Sequence, residues 1–316
     1  MVRPLLFALL CLAGPLLAAD PLPLPEGVQL LRGDFVPGRQ PDGNSVLIAA
    51  PAGWIVVDSG RHAAHTARIV EAPRADGRPL LALVNTHWHL DHVSGNPALR
   101  AEWPALQVHA SDAIDAALTG FLARYRAQLQ VLLAQATDDE QRAQLGDEIA
   151  RIDAGAALRP DQVVSATGER VLAGRSLLLG LSRHAATAGD VWLFDRERRL
   201  LVAGDLVTLP VPFLDTACPP RWQAELATLA ALEFDTVIPG HGPALDRAGF
   251  ERYRAAVDGL LACAASAATP GDCAGRWLDD AGPLLDGSDA AFTRRLVEYY
   301  VNARLRGAAA GGDCPG

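Results

Sequence analysis

Thr86-His87-Trp88-His89-Leu90-Asp91-His92 follows directly on an apolar run of strand length, residues 80–84. Three imidazoles and a carboxylate this close together are costly to explain as packing, because buried polar groups need partners. Histidine binds transition metals through its neutral ring nitrogen, and a carboxylate adds hard oxygen coordination. On an extended backbone His87 and His89 point the same way, while Asp91 and His92 can turn toward a second point nearby. The spacing therefore predicts two metal ions at the end of a buried strand.

Outward from this cluster, short apolar or β-branched runs at 28–31, 45–50 and 54–58 read as strands, the last two joined by Pro51-Ala52-Gly53 as a hairpin. Residues 191–195 and 200–203 read as a second hairpin. Apolar spacing of three and four marks helices at 62–70, 221–232 and 247–261. Helices alternating with strands give an α/β or mixed α+β class. Residues 113–152 carry no strand signal and are rich in Ala, Leu, Gln, Arg and Glu, with a break at Thr137-Asp138-Asp139. They read as a helical hairpin, a solvated structural insertion, with Thr137 or Asp138 capping its second helix.

The chain has 316 residues, 50% hydrophobic and 21% charged, with a formal net charge of -9. That composition folds, and it offers no basic excess for nucleic acid. Every Lys or Arg position is Arg, which excludes Schiff-base chemistry and lysine-anchored phosphate loops.

Residues 1–19 begin with Arg3, run through an apolar stretch and end in Leu17-Ala18-Ala19, the pattern of a secretory signal peptide cut after Ala19. The run is too short for the roughly 20 residues that span a bilayer. A periplasmic or secreted protein without a stable membrane anchor is expected, its main domain at 20–307 and a disordered small-residue tail at 308–316. Cys11 leaves with the leader. Cys218, Cys263, Cys273 and Cys314 remain, and Cys263 and Cys273 flank Pro270-Gly271, so they are either a disulfide or two buried thiols. His62, His65 and His109 read as surface or core residues.

The His-x-His-x-Asp-His run resembles the signature of the metallo-β-lactamase superfamily, and further landmarks follow in order. Val57-Asp58-Ser59-Gly60 resembles the strand end that supports the metal loop, Ala203-Gly204-Asp205 the bridging carboxylate, and Ile238-Pro239-Gly240-His241-Gly242 the loop of the last histidine. The resemblance implies a four-layer αβ/βα sandwich. It implies His87 and His89 on a first metal, Asp91, His92 and His241 on a second, and Asp205 between them. The implied cofactor is a pair of zinc ions, with iron as the alternative in a redox enzyme of the same fold, and a non-catalytic metal-binding protein as a further reading. The implied reaction is hydrolysis of an ester, thioester, lactone or amide bond of a small molecule, with Asp91 orienting the nucleophile and moving a proton.

One ligand departs from the pattern. Members usually carry a third histidine for the first metal in His-Thr-x-Gly-Asp, but here that position is Ala186, within His184-Ala185-Ala186-Thr187-Ala188-Gly189-Asp190. His184 lies two residues earlier, on the same face of an extended strand, and is expected to replace it. The β-lactamases of the commonest kind carry Cys where Asp205 stands. An export leader with this departure is similar to members grouped with periplasmic quinoprotein and sulfur-oxidation systems. The apolar, Pro-stiffened stretch 207–214, with Trp88 and Trp222, is expected to wall the site and to favour a partly apolar ligand.

Overall fold

The computed structural model describes residues 22–34, 39–285, 287–307 and 314. The leader expected at 1–19 lies outside these residues. So does the tail expected at 308–316 except Cys314, which a disulfide joins to Cys218.

Six strands form the first sheet in chain order: β1 (Val28–Leu31), β2 (Ser45–Ala50), β3 (Gly53–Val57), β4 (Leu80–Val84), β5 (Gln107–Ala110) and β6 (Gln162–Val163). β7 (Gly168–Leu172), β8 (Arg175–Ser182), β9 (Asp190–Asp195), β10 (Leu200–Thr208), β11 (Thr236–His241) and β12 (Leu245–Asp246) form the second, again in chain order across the sheet. β3, β4, β5 and β6 run parallel, as do β10 and β11.

Both sheets are covered on both faces, which is why their strands read as nearly continuous apolar runs. Val46, Ile48, Ile55, Val57, Ala82 and Val84 of the first sheet meet Leu177, Leu179, Val191, Leu193, Val202 and Ile238 of the second. The alternate residues Leu47, Trp54, Val56 and Leu83 point the other way, onto Ile69 of α1 (Ala63–Asp76) and Leu99, which is followed by Leu106 and Val108 in the same cluster. α2 (Leu90–Val93) and α3 (Asn96–Glu102) carry the chain away from β4.

Beyond β5 come α4 (Ala113–Thr119), α5 (Phe121–Gln135) and α6 (Asp139–Asp153). Asp138 caps α6, its side chain accepting from the Gln141 N–H. This hairpin is docked as well as solvated: Leu122, Leu129 and Ile152 bury against Trp88, Leu90 and Val93 beside the histidine cluster.

On the far face of the second sheet lie α7 (Pro219–Ala230), α8 (Arg247–Ala264), α9 (Pro270–Ala281) and α10 (Ala290–Tyr300). Trp222, which the sequence placed at the site wall, is a core residue here, packed in that layer with its indole N–H on the Leu206 carbonyl. A capping box of Thr269 and Asp272 starts α9, and Cys263–Cys273 is a disulfide tying it to α8. The order helix, sheet, sheet, helix is the expected αβ/βα sandwich. No helix among the described residues is long and apolar enough to cross a membrane.

Candidate metal centre

The site forms where several strands end on one rim, as ligand sites in α/β sheets do. β3 delivers Asp58, β4 delivers the Thr86 to His92 segment, β10 carries Asp205 and β11 ends on His241. Asn44, just before β2, ties the two sheets together there: its amide nitrogen donates to the Pro239 and Gly242 carbonyls. Two glycines allow the close approach. A Cβ on Gly240 would stand 1.9 Å from Asp205 Oδ1, and one on Gly43 would stand 2.5 Å from the His92 ring.

Asp58 organises the histidines. It is 2% exposed and accepts three hydrogen bonds, from Thr86 N (2.7 Å), Thr86 Oγ1 (2.7 Å) and His92 Nδ1 (2.8 Å). The Thr86 hydroxyl proton therefore goes to Asp58, so its oxygen accepts from His87 Nδ1 at 3.0 Å. Both rings are thus protonated on Nδ1, leaving the Nε2 lone pairs facing inward.

Those inward atoms converge. His92 Nε2 lies 3.4 Å from Asp205 Oδ1 and 3.6 Å from Asp91 Oδ2. His241 Nε2 lies 3.0 Å from Asp91 Oδ2 and 3.8 Å from Asp205 Oδ1, and His87 Nε2 lies 3.7 Å from Asp205 Oδ2. His87 Nε2, His92 Nε2 and Asp205 Oδ1 are buried with no hydrogen-bond partner. Lone pairs and a carboxylate oxygen aimed at one another without protons between them fit a cation. Two groups of potential ligands result, His87 with His92 and Asp205, and Asp91 with His92 and His241.

Without an ion, a proton takes the cation's place on His92 Nε2. Burial would strip His92 of charge, but Asp91, Asp58 and Asp205 outweigh it and push the metal-free ring up to about 10. Burial likewise opposes the charge on Asp91, yet His92, His241 and Arg61 hold its carboxyl well below the usual range. Burial takes His89 down to about 4, so it is a neutral ring at pH 7.

His89 reaches the site without joining either group. Its ring stands 4.4 Å from that of His87, and its Nε2 bonds to Thr216 Oγ1 at 3.0 Å. His184 lies beyond the end of β8. It has a φ of +58°, in a turn after β8 where the strand has ended, so the two-residue alternation that put it on the ligand face does not apply. Neither group of potential ligands among the described residues contains it. His62 pairs with Asp42 and His65 with Ser45.

Two residues that the sequence did not single out stand at the centre. Arg61, after β3, reaches Asp91 Oδ1 with Nη2 at 3.4 Å and pairs with Glu148 of α6. The helical hairpin is thereby ionically joined to a candidate ligand. A buried Glu in a helix that otherwise reads as solvated leaves no periodic signature.

Above the cluster is a cavity of about 310 Å³, lined at one end by His89, Asp91, Asp205, His241 and Arg61. Most of its remaining wall is apolar, Trp88, Phe121 and Leu122, then Leu209, Pro210, Val211 and Phe213, then Phe292, Leu296 and Tyr300, with Gln40, Tyr125 and Thr208 adding polar groups. The stretch 207–214 does wall the site, together with α5 and α10. The cavity shares Gln40, Pro41, Tyr125 and His241 with a broader groove of about 1230 Å³.

Known proteins resemble this chain in sequence and in fold. A linear primary-alkylsulfatase of Pseudomonas sp. (strain ATCC 19151) is 23% identical over 218 residues, 62% of this chain and 40% of that one. The chain thus spans about two fifths of the length of that curated relative. Among solved structures, a metallo-beta-lactamase from Pontibacter korlensis has a TM-score of 0.54 at 17% identity, covering 76% of this chain and 98% of that one. A stereoselective inverting sec-alkylsulfatase from Pseudomonas sp. has a TM-score of 0.56 at 17% identity, covering 81% and 47%. These structural likenesses establish the fold. Residues 38–241 match the metallo-beta-lactamase superfamily, a stretch that takes in every converging ligand and ends on the last of them, and the chain belongs to that superfamily.

Proposed function

We propose that the protein is an exported, zinc-dependent hydrolase that cleaves an ester-type bond in a small molecule carrying an apolar group. The observation that carries this reading is the convergence of unpartnered His87, His92 and Asp205 atoms beneath an apolar cavity. When bound, the ion supplies Lewis acidity, making water a nucleophile near neutral pH and polarising the substrate oxygen.

The chain's own residues do the remainder. Asp58 fixes the His92 and His87 rings. Asp91 turns Oδ2 into the cluster and keeps Oδ1 beside Arg61, where Oδ1 orients the attacking water and takes its proton. Arg61, steadied by Glu148, holds positive charge at the polar end of the cavity for an oxygen that becomes anionic. The apolar walls from α5, the 209–213 segment and α10 bind the hydrocarbon part and exclude water. Sulfate esters join carboxylic esters, thioesters, lactones and amides as candidate substrates, because the alkylsulfatase relatives share this fold. The pattern of residues 1–19 and the two disulfides support an oxidising, exported location.

The test is a panel of aryl and alkyl carboxylic esters, thioesters, lactones and alkyl sulfates, assayed before chelation, after chelation and after zinc is restored. Hydrolysis of at least one class, lost on chelation and recovered with zinc, is expected. No hydrolysis by metal-loaded protein would overturn the reading, and iron with visible colour in the purified protein would move it to redox chemistry. Export is checked by the mass of the mature chain, which should begin at Asp20.

A further inference from the structure

We propose that the centre is built for one tightly held ion, not two. The inference rests on the reading that the cluster binds metal, and the experiment below separates the two.

Zinc bonds to nitrogen and oxygen of about 2.0 to 2.1 Å in a tetrahedral site place neighbouring ligand atoms about 3.3 to 3.4 Å apart. His92 Nε2, Asp91 Oδ2 and His241 Nε2 approach that figure and form one group. Two of the three edges among them are 3.6 and 3.0 Å, while Asp205 Oδ1, 3.4 and 3.8 Å from the two imidazoles, is outside the group. These three atoms describe one position and leave a fourth ligand place open for water.

The other position is short of ligands. The turn that would present a third imidazole is intact: Asp190 accepts from the Thr187 N–H at 3.0 Å and from the Thr187 hydroxyl at 2.8 Å. Only the imidazole is missing, because the residue the turn presents is Ala186, 1% exposed in the core. The 214–218 segment closes over it. Cys218 N donates to the Ala185 carbonyl at 2.9 Å, and Thr216 Oγ1 donates to the Ala186 carbonyl at 3.0 Å. With its proton committed there, the Thr216 hydroxyl can only accept from His89 Nε2.

His89 is therefore protonated on Nε2 and keeps one lone pair, on Nδ1. His184 does not compensate, since its turn takes it out of both ligand groups. The second group consists of His87, Asp205 and the same His92 nitrogen that the first ion takes, so a second ion would keep His87 and Asp205 alone and would sit beside that first dication. One imidazole and one carboxylate fall below the three ligands of a catalytic zinc site.

Native mass spectrometry of the full chain, dialysed against micromolar zinc, counts the ions directly. One ion per wild-type chain is expected. His241→Ala should weaken zinc binding at least 100-fold, whereas His89→Ala and His184→Ala should each keep one ion with affinity within a few-fold of wild type. Circular dichroism confirms that each variant is folded, and the wild-type count stands whichever variant fails. Two ions retained by wild type, or loss of the ion in His89→Ala with retention in His241→Ala, would overturn the one-ion centre. No ion in wild type would instead refute the metal reading itself.

Discussion

Asp58→Asn tests how the ligands are held without touching any of them. Asp58 sits at a φ of +60°, a conformation that Asn tolerates as well as Asp, so backbone strain is not the variable. The substitution replaces one of two accepting oxygens with an NH₂ donor. If the amide nitrogen takes the Oδ1 place it faces the Thr86 N–H, which cannot become an acceptor. If it takes the Oδ2 place it faces the Thr86 hydroxyl and His92 Nδ1, both of which can respond. The ring responds by moving its proton to Nε2, the atom needed for metal. Loss of such an orienting partner typically lowers metal affinity 10- to 100-fold. Here one carboxylate orients His92 directly and His87 through Thr86, so the upper end applies, roughly 100-fold or about 2.7 kcal/mol. Competition for zinc against a chelator of known affinity, with a melting curve to confirm folding, measures it. Affinity within twofold of wild type in a folded Asp58→Asn protein would refute the tautomer argument.

Metal uptake should depend on pH, because in the metal-free protein Asp91, Asp58 and Asp205 overcome burial to push His92 up to about 10. Zinc must displace that proton, so affinity should rise about tenfold per pH unit between pH 7 and 9, with at least one proton released per ion in buffer-dependent calorimetry. The raised value also means that His92 stabilises the metal-free fold fully below its unfolded value of 6.5 and loses that contribution as pH climbs through about 10, which melting curves across that range would report. Loop closure across 96 residues predicts that losing Cys218–Cys314 costs about 4.7 kcal/mol, against about 2.7 kcal/mol for the 10-residue Cys263–Cys273 loop. Denaturant unfolding of the two double-Ser variants should therefore rank them in that order. Phe121→Ala, which opens the apolar wall beside Trp88, should raise KM for an alkyl or aryl ester about tenfold, roughly 1.4 kcal/mol, and change kcat far less. An unchanged KM would mean that the hydrocarbon part binds elsewhere.

The His87 to His92 cluster was legible in the sequence because its density directly after an apolar strand is a local feature. Asp58, Asp205 and His241 also stand at strand ends, but each alone reads as an ordinary turn, and only their order after the cluster, by resemblance to the superfamily, marked them; the structure gathers His87, Asp91, His92, Asp205 and His241 around Asp58. Arg61 with Glu148 and His89 with Thr216 were not legible, since the partners lie 87 and 127 residues apart and neither member breaks a local pattern. His184 was misplaced for a specific reason: alternation was extended past Ser182, where β8 ends and a left-handed residue turns the chain. The helices of the insertion were readable from composition, but not the face that docks, because Leu122, Leu129 and Ile152 are spread thinly along otherwise exposed helices. α9 and α10 passed unnoticed although Thr269 and Asp272 offer a capping-box signal.

The most direct test of the account is an anomalous difference map from crystals of the zinc-loaded protein, measured at the zinc absorption edge. A peak enclosed by Asp91 Oδ2, His92 Nε2 and His241 Nε2, at the polar end of the apolar cavity, is expected. A map with no peak among these three residues would contradict it.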